Sequence, residues 1–325
     1  MMNFFDIFSG NKTKKVLSFD GGGVRAIAGV IFLKKLEEAT GRSIFDLFDI
    51  FIGTSAGGMN ALLVSINKMS AHDLHEFWAR ENILSSMSAS WENKTSFLHT
   101  RPKYDGIGKT QILQKYLFDA SMGEAHKPVM TLSYDVENRK PELLSSIDTP
   151  DIKAVSAAMA TSAAPIYYPT SQLENGTWHI DGGIVSNNPS LIGYVEAMKI
   201  FNTNKVKVLS IGTGIDREKI DGLASKKWGA LGWLRNDIIG IMLEQNMDHE
   251  IAVNLMKDKY LRINSATEKV NKRLDDTSEI NLERIHLMGM EWWSKFGEKT
   301  SAVSYTHLRA HETRHDLVCR LLLEK

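Results

Sequence analysis

The segment Phe51-Ile-Gly-Thr-Ser-Ala-Gly-Gly58 constrains this chain more than any other. An apolar stretch, Asp46-Leu-Phe-Asp-Ile-Phe-Ile52, leads into it, and small and apolar residues from Ala56 to Ile66 lead out of it. A buried strand that gives way at once to a packed helix needs a sharp backbone turn, and this one exposes Ser55 at the sheet edge. Gly53 and Gly57 permit the turn, because a side chain at either position would crowd it; Thr54 and Ala56 complete it. Ser55 is therefore the candidate nucleophile. Taken alone, GxSxG also describes a close-packed helix start, so the rest of the chain has to decide.

Composition narrows the setting. A length of 325 residues, 43% of them hydrophobic and 24% charged, suits one large core. Lys+Arg and Asp+Glu both number 39, which gives no overall attraction to nucleic acid. Cys319 is the only cysteine, so neither an intramolecular disulfide nor a multi-cysteine zinc site is available. The apolar Phe4, Phe5, Ile7 and Phe8 precede Lys12, Lys14 and Lys15, an order and length unlike a secretory signal. No run approaches the roughly 18 apolar residues of a membrane span. The expectation is a cytoplasmic protein whose membrane contact is peripheral.

Upstream of Ser55, Lys15-Val-Leu-Ser-Phe-Asp20 reads as a strand running into Gly21-Gly22-Gly23-Val24-Arg25 and a helix to Thr40. Strand, glycine loop and helix form an anion-binding arrangement, since successive N–H groups can converge on one point. The anion is either a nucleotide phosphate or the oxyanion formed when a serine attacks an ester. Ala26 stands where GxGxxG places its last glycine, and no GK[ST] follows, so the oxyanion is favoured. Downstream, helices are expected over 70–80, with Leu74, Phe77 and Trp78 inward, and over 108–118. Strands are expected over 129–135 and 141–145, and an alanine-rich helix over 151–163 with Asp151 near its N-cap. The polar 81–104 connection, with Met87, Trp91 and Phe97, is the first candidate for lipid contact.

A second informative stretch is Trp178-His-Ile-Asp181-Gly182-Gly183, followed by Asn187-Asn188-Pro189 and a helix to Phe201. An aspartate closing a strand before glycines can project into a cleft and act as general base toward a serine, provided it is partly desolvated. An Asx turn would explain the same residues. His179 shares the strand face of Asp181 and offers a histidine-base alternative, but it precedes the acid, against the usual Ser, acid, His order. His72, His75, His249 and His286 read as structural or surface residues.

Together, Asp20-Gly21-Gly22-Gly23-Val24-Arg25, Gly53-Thr54-Ser55-Ala56-Gly57, Ala160-Thr-Ser-Ala-Ala-Pro165 with Tyr168-Pro169, and Asp181-Gly182-Gly183 with Asn187-Asn188-Pro189 resemble the patatin-like acyl hydrolases and phospholipases. The resemblance covers about 14–214 and continues loosely to about Asn264. It implies a three-layer α/β/α sandwich with a mainly parallel sheet, and a Ser55–Asp181 dyad needing no metal or organic cofactor. It also implies an oxyanion hole at Gly21, Gly22 and Gly23 supported by Arg25, and a phospholipid substrate met at a membrane surface. A non-catalytic lipid- or nucleotide-binding module, and a ligand-activated membrane-degrading effector, are the alternatives.

The domain expected is 14–303, with core motifs in 14–214 and a helical remainder in 215–303, after an extension over 1–13. In the remainder, Met242, Met247 and Met256 read as core filling, 260–264 as a last strand, and 278–295 as a final helix ending near Trp292 and Trp293. Residues 304–325 look foreign, resembling translated adapter sequence, so His307, His311, His315 and Cys319 enter no metal or redox argument.

Overall fold

Apolar residues alternate between the two faces of the central strands, so both faces have to be covered. A computed structural model describes residues 12–89, 101–229, 232, 233, 236, 240, 241 and 247–305. Most of the 1–13 extension, the 90–100 part of the long connection with Trp91 and Phe97, Met242, and 306–325 lie outside the described residues.

The strands are β1 (Lys14–Phe19), β2 (Ile50–Thr54), β3 (Val129–Asp135), β4 (Lys140–Ser145), β5 (Ser171–Gln172), β6 (Trp178–Asp181), β7 (Val206–Ile211) and β8 (Tyr260–Ile263). They form one eight-stranded sheet in the order β5-β6-β3-β2-β1-β7-β8, with β4 paired to β3. From β3 through β8 the ladders are parallel, while β4, β5 and β6 join antiparallel. Val16, Ile50, Ile52, Met130 and Val208 pack on one face; Leu17, Phe19, Phe51, Val129 and Leu209 pack on the other. That period-two split is what a doubly covered sheet requires.

The principal helices are α1 (Ala26–Thr40), α2 (Ala56–Asn67), α3 (Ala71–Phe77), α4 (Arg80–Ser86), α5 (Ile107–Leu117), α6 (Ala154–Thr161), α7 (Ser190–Phe201), α8 (Met247–Met256) and α9 (Glu279–Tyr305). Tyr194 and Ala197 of α7, with Ala252 and Met256 of α8, cover the first face; α1, α2 and α9 belong to the other. The architecture is the expected three-layer α/β/α sandwich with a mainly parallel sheet.

Local differences have physical causes. The helix expected over 70–80 is two, because the chain turns at Trp78 and Ala79 after a Ser70–Asp73 capping box has started the first. Asp151 does not cap α6, which begins at Ala154 with Lys153 in the N-cap position. The last helix runs on to Tyr305; Trp292 is buried within it and donates to Ser265 Oγ at 2.8 Å, so that ring closes the core. Met256 is buried in the core as well. No helix among the described residues is long and apolar enough to cross a membrane.

Candidate active site

Ser55 stands between the last residue of β2 and the first of α2, with φ 55° and ψ −124°. A non-glycine residue held there carries about 1–3 kcal/mol of strain, which its surroundings must offset. A Cβ on Gly53 would lie 2.1 Å from the Gly57 carbonyl oxygen, and one on Gly57 would lie 2.5 Å from those of Phe19 and Asp20. Both glycines are therefore imposed by close backbone approach. Thr54 Oγ1 donates to the Ser186 carbonyl at 2.8 Å, and the Ser55 N–H donates to Thr161 Oγ1 at 3.0 Å, fixing the turn from two sides.

β3 brings the acid to the serine. Its β4 edge is continuous, while its other edge is shared: Thr54 of β2 pairs with Leu132, and Asp181 of β6 pairs with the next residue, Ser133. The ends of β2 and β6 thus meet on consecutive rungs, and Ser55 Oγ donates to Asp181 Oδ2 at 2.6 Å. The other carboxylate oxygen, Oδ1, accepts the Gly183 N–H at 2.8 Å. Gly182 is required because a Cβ would come within 2.2 Å of the Leu132 carbonyl oxygen. Burial pushes the Asp181 carboxyl up to about 6, against the pull of the Ser55 and Gly183 hydrogen bonds and the Lys109 charge.

The sequence reading missed how the residues ending α6 tie this site together. Thr161 accepts from the Ser55 backbone, Ser162 accepts from Lys109, and the Ala163 carbonyl accepts the Asp181 N–H at 3.1 Å. Three consecutive residues thereby link nucleophile turn, acid and a buried cation. Lys109 Nζ donates to Ser162 O at 2.9 Å and Oγ at 3.0 Å, and sits 3.5 Å from the centre of the Tyr168 ring. Desolvation lowers its pKa to about 7, with Asp181 opposing the shift. A signal for Lys109 existed: it precedes Leu113 and Leu117 at helical spacing, which puts a lysine on the buried face of α5.

The glycine loop is narrower than expected as a donor set. The Gly21 N–H is engaged by the Asn187 carbonyl at 3.1 Å, so Gly21 is not available to an oxyanion. Gly22 and Gly23 line the cleft with Ser55 and Asp181, and no protein acceptor for their N–H groups is found among the described residues. A Cβ on Gly22 would lie 2.2 Å from Thr213 Oγ1, and one on Gly23 2.2 Å from the Leu274 carbonyl oxygen. Arg25 is buried at the start of α1 and does not line the cleft.

The cleft walls are mostly apolar, with Met59, Trp78, Ile83, Met87, Ile112 and Tyr167 prominent. Leu274 and Asp275 close it from a segment that carried no motif; Asp275 accepts from Tyr104 OH at 2.7 Å and also pairs with Lys103. His179 does not join the dyad. Its Nδ1 meets Ser133 Oγ at 3.0 Å and its Nε2 meets Thr177 Oγ1 at 2.8 Å. His249 meets Tyr260 OH at 3.3 Å, and His72 and His286 are exposed. No group of three His, Cys, Asp or Glu residues suited to a metal ion occurs among the described residues.

A strained serine hydrogen-bonded to a desolvated carboxylate in an apolar cleft is an arrangement suited to acyl transfer. The family model described as patatin-like phospholipase matches residues 17–192, over half the chain. The chain belongs to the patatin-like phospholipase family, hydrolases acting on lipid esters. Patatin-like protein 4 of Arabidopsis thaliana is 28% identical over 342 residues, covering 87% of this chain and 85% of its own length. A cGAMP-activated phospholipase of Pseudomonas aeruginosa is 27% identical over 286 residues, covering 84% and 85% respectively. Among solved structures, VipD from Legionella pneumophila aligns with 88% of this chain and 68% of its own at 14% identity and a TM-score of 0.47.

Proposed function

We propose that the protein cleaves fatty acyl esters of phospholipids through a Ser55 acyl-enzyme, with Asp181 as the general base. The supporting observation is the 2.6 Å hydrogen bond from Ser55 Oγ to Asp181 Oδ2 at the head of an apolar cleft. In the first half-reaction Ser55 Oγ attacks the acyl carbonyl carbon as its proton passes to Asp181. The Gly22 and Gly23 N–H groups take the developing oxyanion. Collapse breaks the ester bond, and Asp181 returns the proton to the departing alcohol. Water, deprotonated by Asp181, then attacks the acyl-enzyme and releases fatty acid and free Ser55.

Asp181 suits this cycle because a pKa near 6 leaves it ionised at neutral pH yet far more basic than an exposed aspartate. Lys109 helps to hold that charge. The apolar walls suit an acyl chain, and the substrate is reached by peripheral contact with a lipid surface. We treat 14–303 as one hydrolase domain, a reading supported by a single sheet from Lys14 to Ile263 and by α9 packing on α1. Residues 304–325 we take as dispensable.

The test is fatty acid release from mixed phospholipid vesicles by the intact chain and by Ser55→Ala, with a fluorophosphonate probe applied to both. Release and labelling confined to the unmutated chain support the proposal. Equal release by Ser55→Ala would sink it.

A further inference from the structure

At the opposite end of the strands from Ser55, the sheet carries a rung of like charge. β1 and β7 pair in parallel with Lys15 directly opposite Lys207. Both lie in phase with Leu17 and Leu209, which share one core cluster, so the two lysines belong to the same face. The register continues from Val208 opposite Tyr260, which places Lys259 beside Lys207 at the start of β8. Like charges facing each other on neighbouring strands are destabilising. The chain is neutral overall, with 39 cationic and 39 anionic residues, so this grouping does not follow from composition.

These lysines line a cavity of about 220 Å³ together with Lys257 and, from α9, Lys299; Asp258 is the one carboxylate in its lining. None of the Lys15, Lys207, Lys257 and Lys299 ammonium groups forms a salt bridge among the described residues. Asp49 accepts the backbone N–H of Lys15 at 2.8 Å, lies 3.9 Å from Lys14 Nζ, and offsets the Lys15 charge only in part. Lys259 Nζ donates to the Asn204 carbonyl at 3.1 Å, an interaction that leaves its charge uncompensated. Lys257 is held at φ 51°, a left-handed conformation that a lysine adopts at some cost. Burial, with Arg42 next, weakens the hold of Lys15 on its proton.

We propose that this cavity is a non-catalytic binding site for a phosphate-bearing anion of at least two negative charges. Lysine binds phosphate as a mobile point charge, and several ammonium groups around one cavity can share the oxygens of a single group without a fixed fork geometry. The lining also includes Phe48, Leu209 and Leu261, which lower the local dielectric and strengthen such pairing. The site stands independently of the roles given to Ser55 and Asp181. The anion is either a soluble phosphate ester or the headgroup of an anionic lipid.

The experiment compares the full chain with a Lys207→Gln/Lys299→Gln variant. Thermal unfolding and calorimetric titration are run with pyrophosphate against sodium chloride at equal ionic strength. Co-flotation is measured with phosphatidylcholine vesicles with and without phosphatidate. Pyrophosphate should raise Tm by several degrees in the unmutated chain, and its Kd should be at least tenfold weaker in the variant. Without anion the variant should melt higher than the unmutated chain, because the cross-strand repulsion is relieved; generic damage cannot produce that result. Hydrolysis of a short-chain neutral ester should be unchanged. Pyrophosphate binding assigns a soluble ligand, whereas phosphatidate-dependent flotation lost in the variant, without pyrophosphate binding, assigns a headgroup. The proposal is overturned if neither probe binds, or if the variant binds either one as tightly as the unmutated chain.

Discussion

Asp20 and Asp181 look alike in sequence and differ in almost everything else. Asp20 directly follows β1 and Asp181 ends β6, each precedes a run of glycines, and each is buried. Burial pushes both carboxyls up, but Asp20 is answered by Arg262, whose Nη1 donates to its Oδ1 at 2.7 Å and whose Nη2 pairs with Oδ2. Arg262 Nη1 also reaches Ser210 Oγ at 2.7 Å, so the pair is locked into the β7–β8 edge. Asp181 has no such fork. It receives a hydroxyl and one backbone N–H, and its nearest cation is bonded to Ser162 instead. The lesson is that an aspartate followed by glycines marks a strand end facing a loop, and its partner decides between scaffold and chemistry. A bidentate guanidinium holds the charge still, whereas a hydroxyl leaves the carboxylate able to take a proton.

The largest expected effect comes from removing the proposed base. Asp181→Asn should lower kcat by about 10³-fold or more while leaving the circular dichroism spectrum intact. The sign of its stability effect is the opposite of ordinary damage. Because the folded pKa of Asp181 lies above its unfolded value, its favourable contribution is present at low pH and lost as pH rises through about 6. At pH 8 the desolvated carboxylate therefore destabilises the fold, and the amide should raise Tm. A melt at pH 8 that is lower than that of the unmutated chain would contradict this.

Asp20→Asn should do the reverse, costing about 3–5 kcal/mol by leaving a buried Arg262 without its counter-charge. Denaturant unfolding of Asp20→Asn, Arg262→Met and the double variant measures the pair directly. The double variant should be more stable than the sum of the single losses implies. Simple additivity would mean that the two side chains stabilise the sheet edge separately.

Smaller shifts test the cation beside Asp181. The acid limb of kcat should fall at about pH 6, where Asp181 protonates and can no longer accept from Ser55. Lys109→Met removes a charge that holds that proton off, so the limb should move to higher pH and the loss in kcat should be several-fold at pH 6. At pH 8, where Lys109 itself has largely lost its proton, the two enzymes should converge. A uniform loss across pH would assign Lys109 to packing alone. The smallest effect expected is from deleting residues 304–325, which should leave turnover within twofold.

Much of this arrangement was legible because it is locally encoded. Ser55 announces itself through the steric demand of Gly53 and Gly57, and the sheet through its period-two apolar residues. Gly21 misled because a sequence shows which residues carry N–H groups, but not that Asn187 would accept one of them across the fold. Arg262, Asp275, Thr161 at the end of α6 and Ser162 just after it act through contacts between distant segments, and no spacing rule reports those. Lys109 falls between: its place on an apolar helix face was readable, its neighbours were not.

The meeting of β2 and β6 on consecutive rungs of β3 also governs when the protein can act. Ser55 and Asp181 are 126 residues apart in the chain, and a slip of one residue in β6 would turn Asp181 to the far side of the sheet. A nascent or refolding chain thus has neither a fixed serine turn nor its carboxylate partner until the segment from Thr161 to Ser186 docks in register. Esterase activity should therefore return only with that docking, and no earlier than the helical signal. Unfinished chains would leave the lipids around them intact.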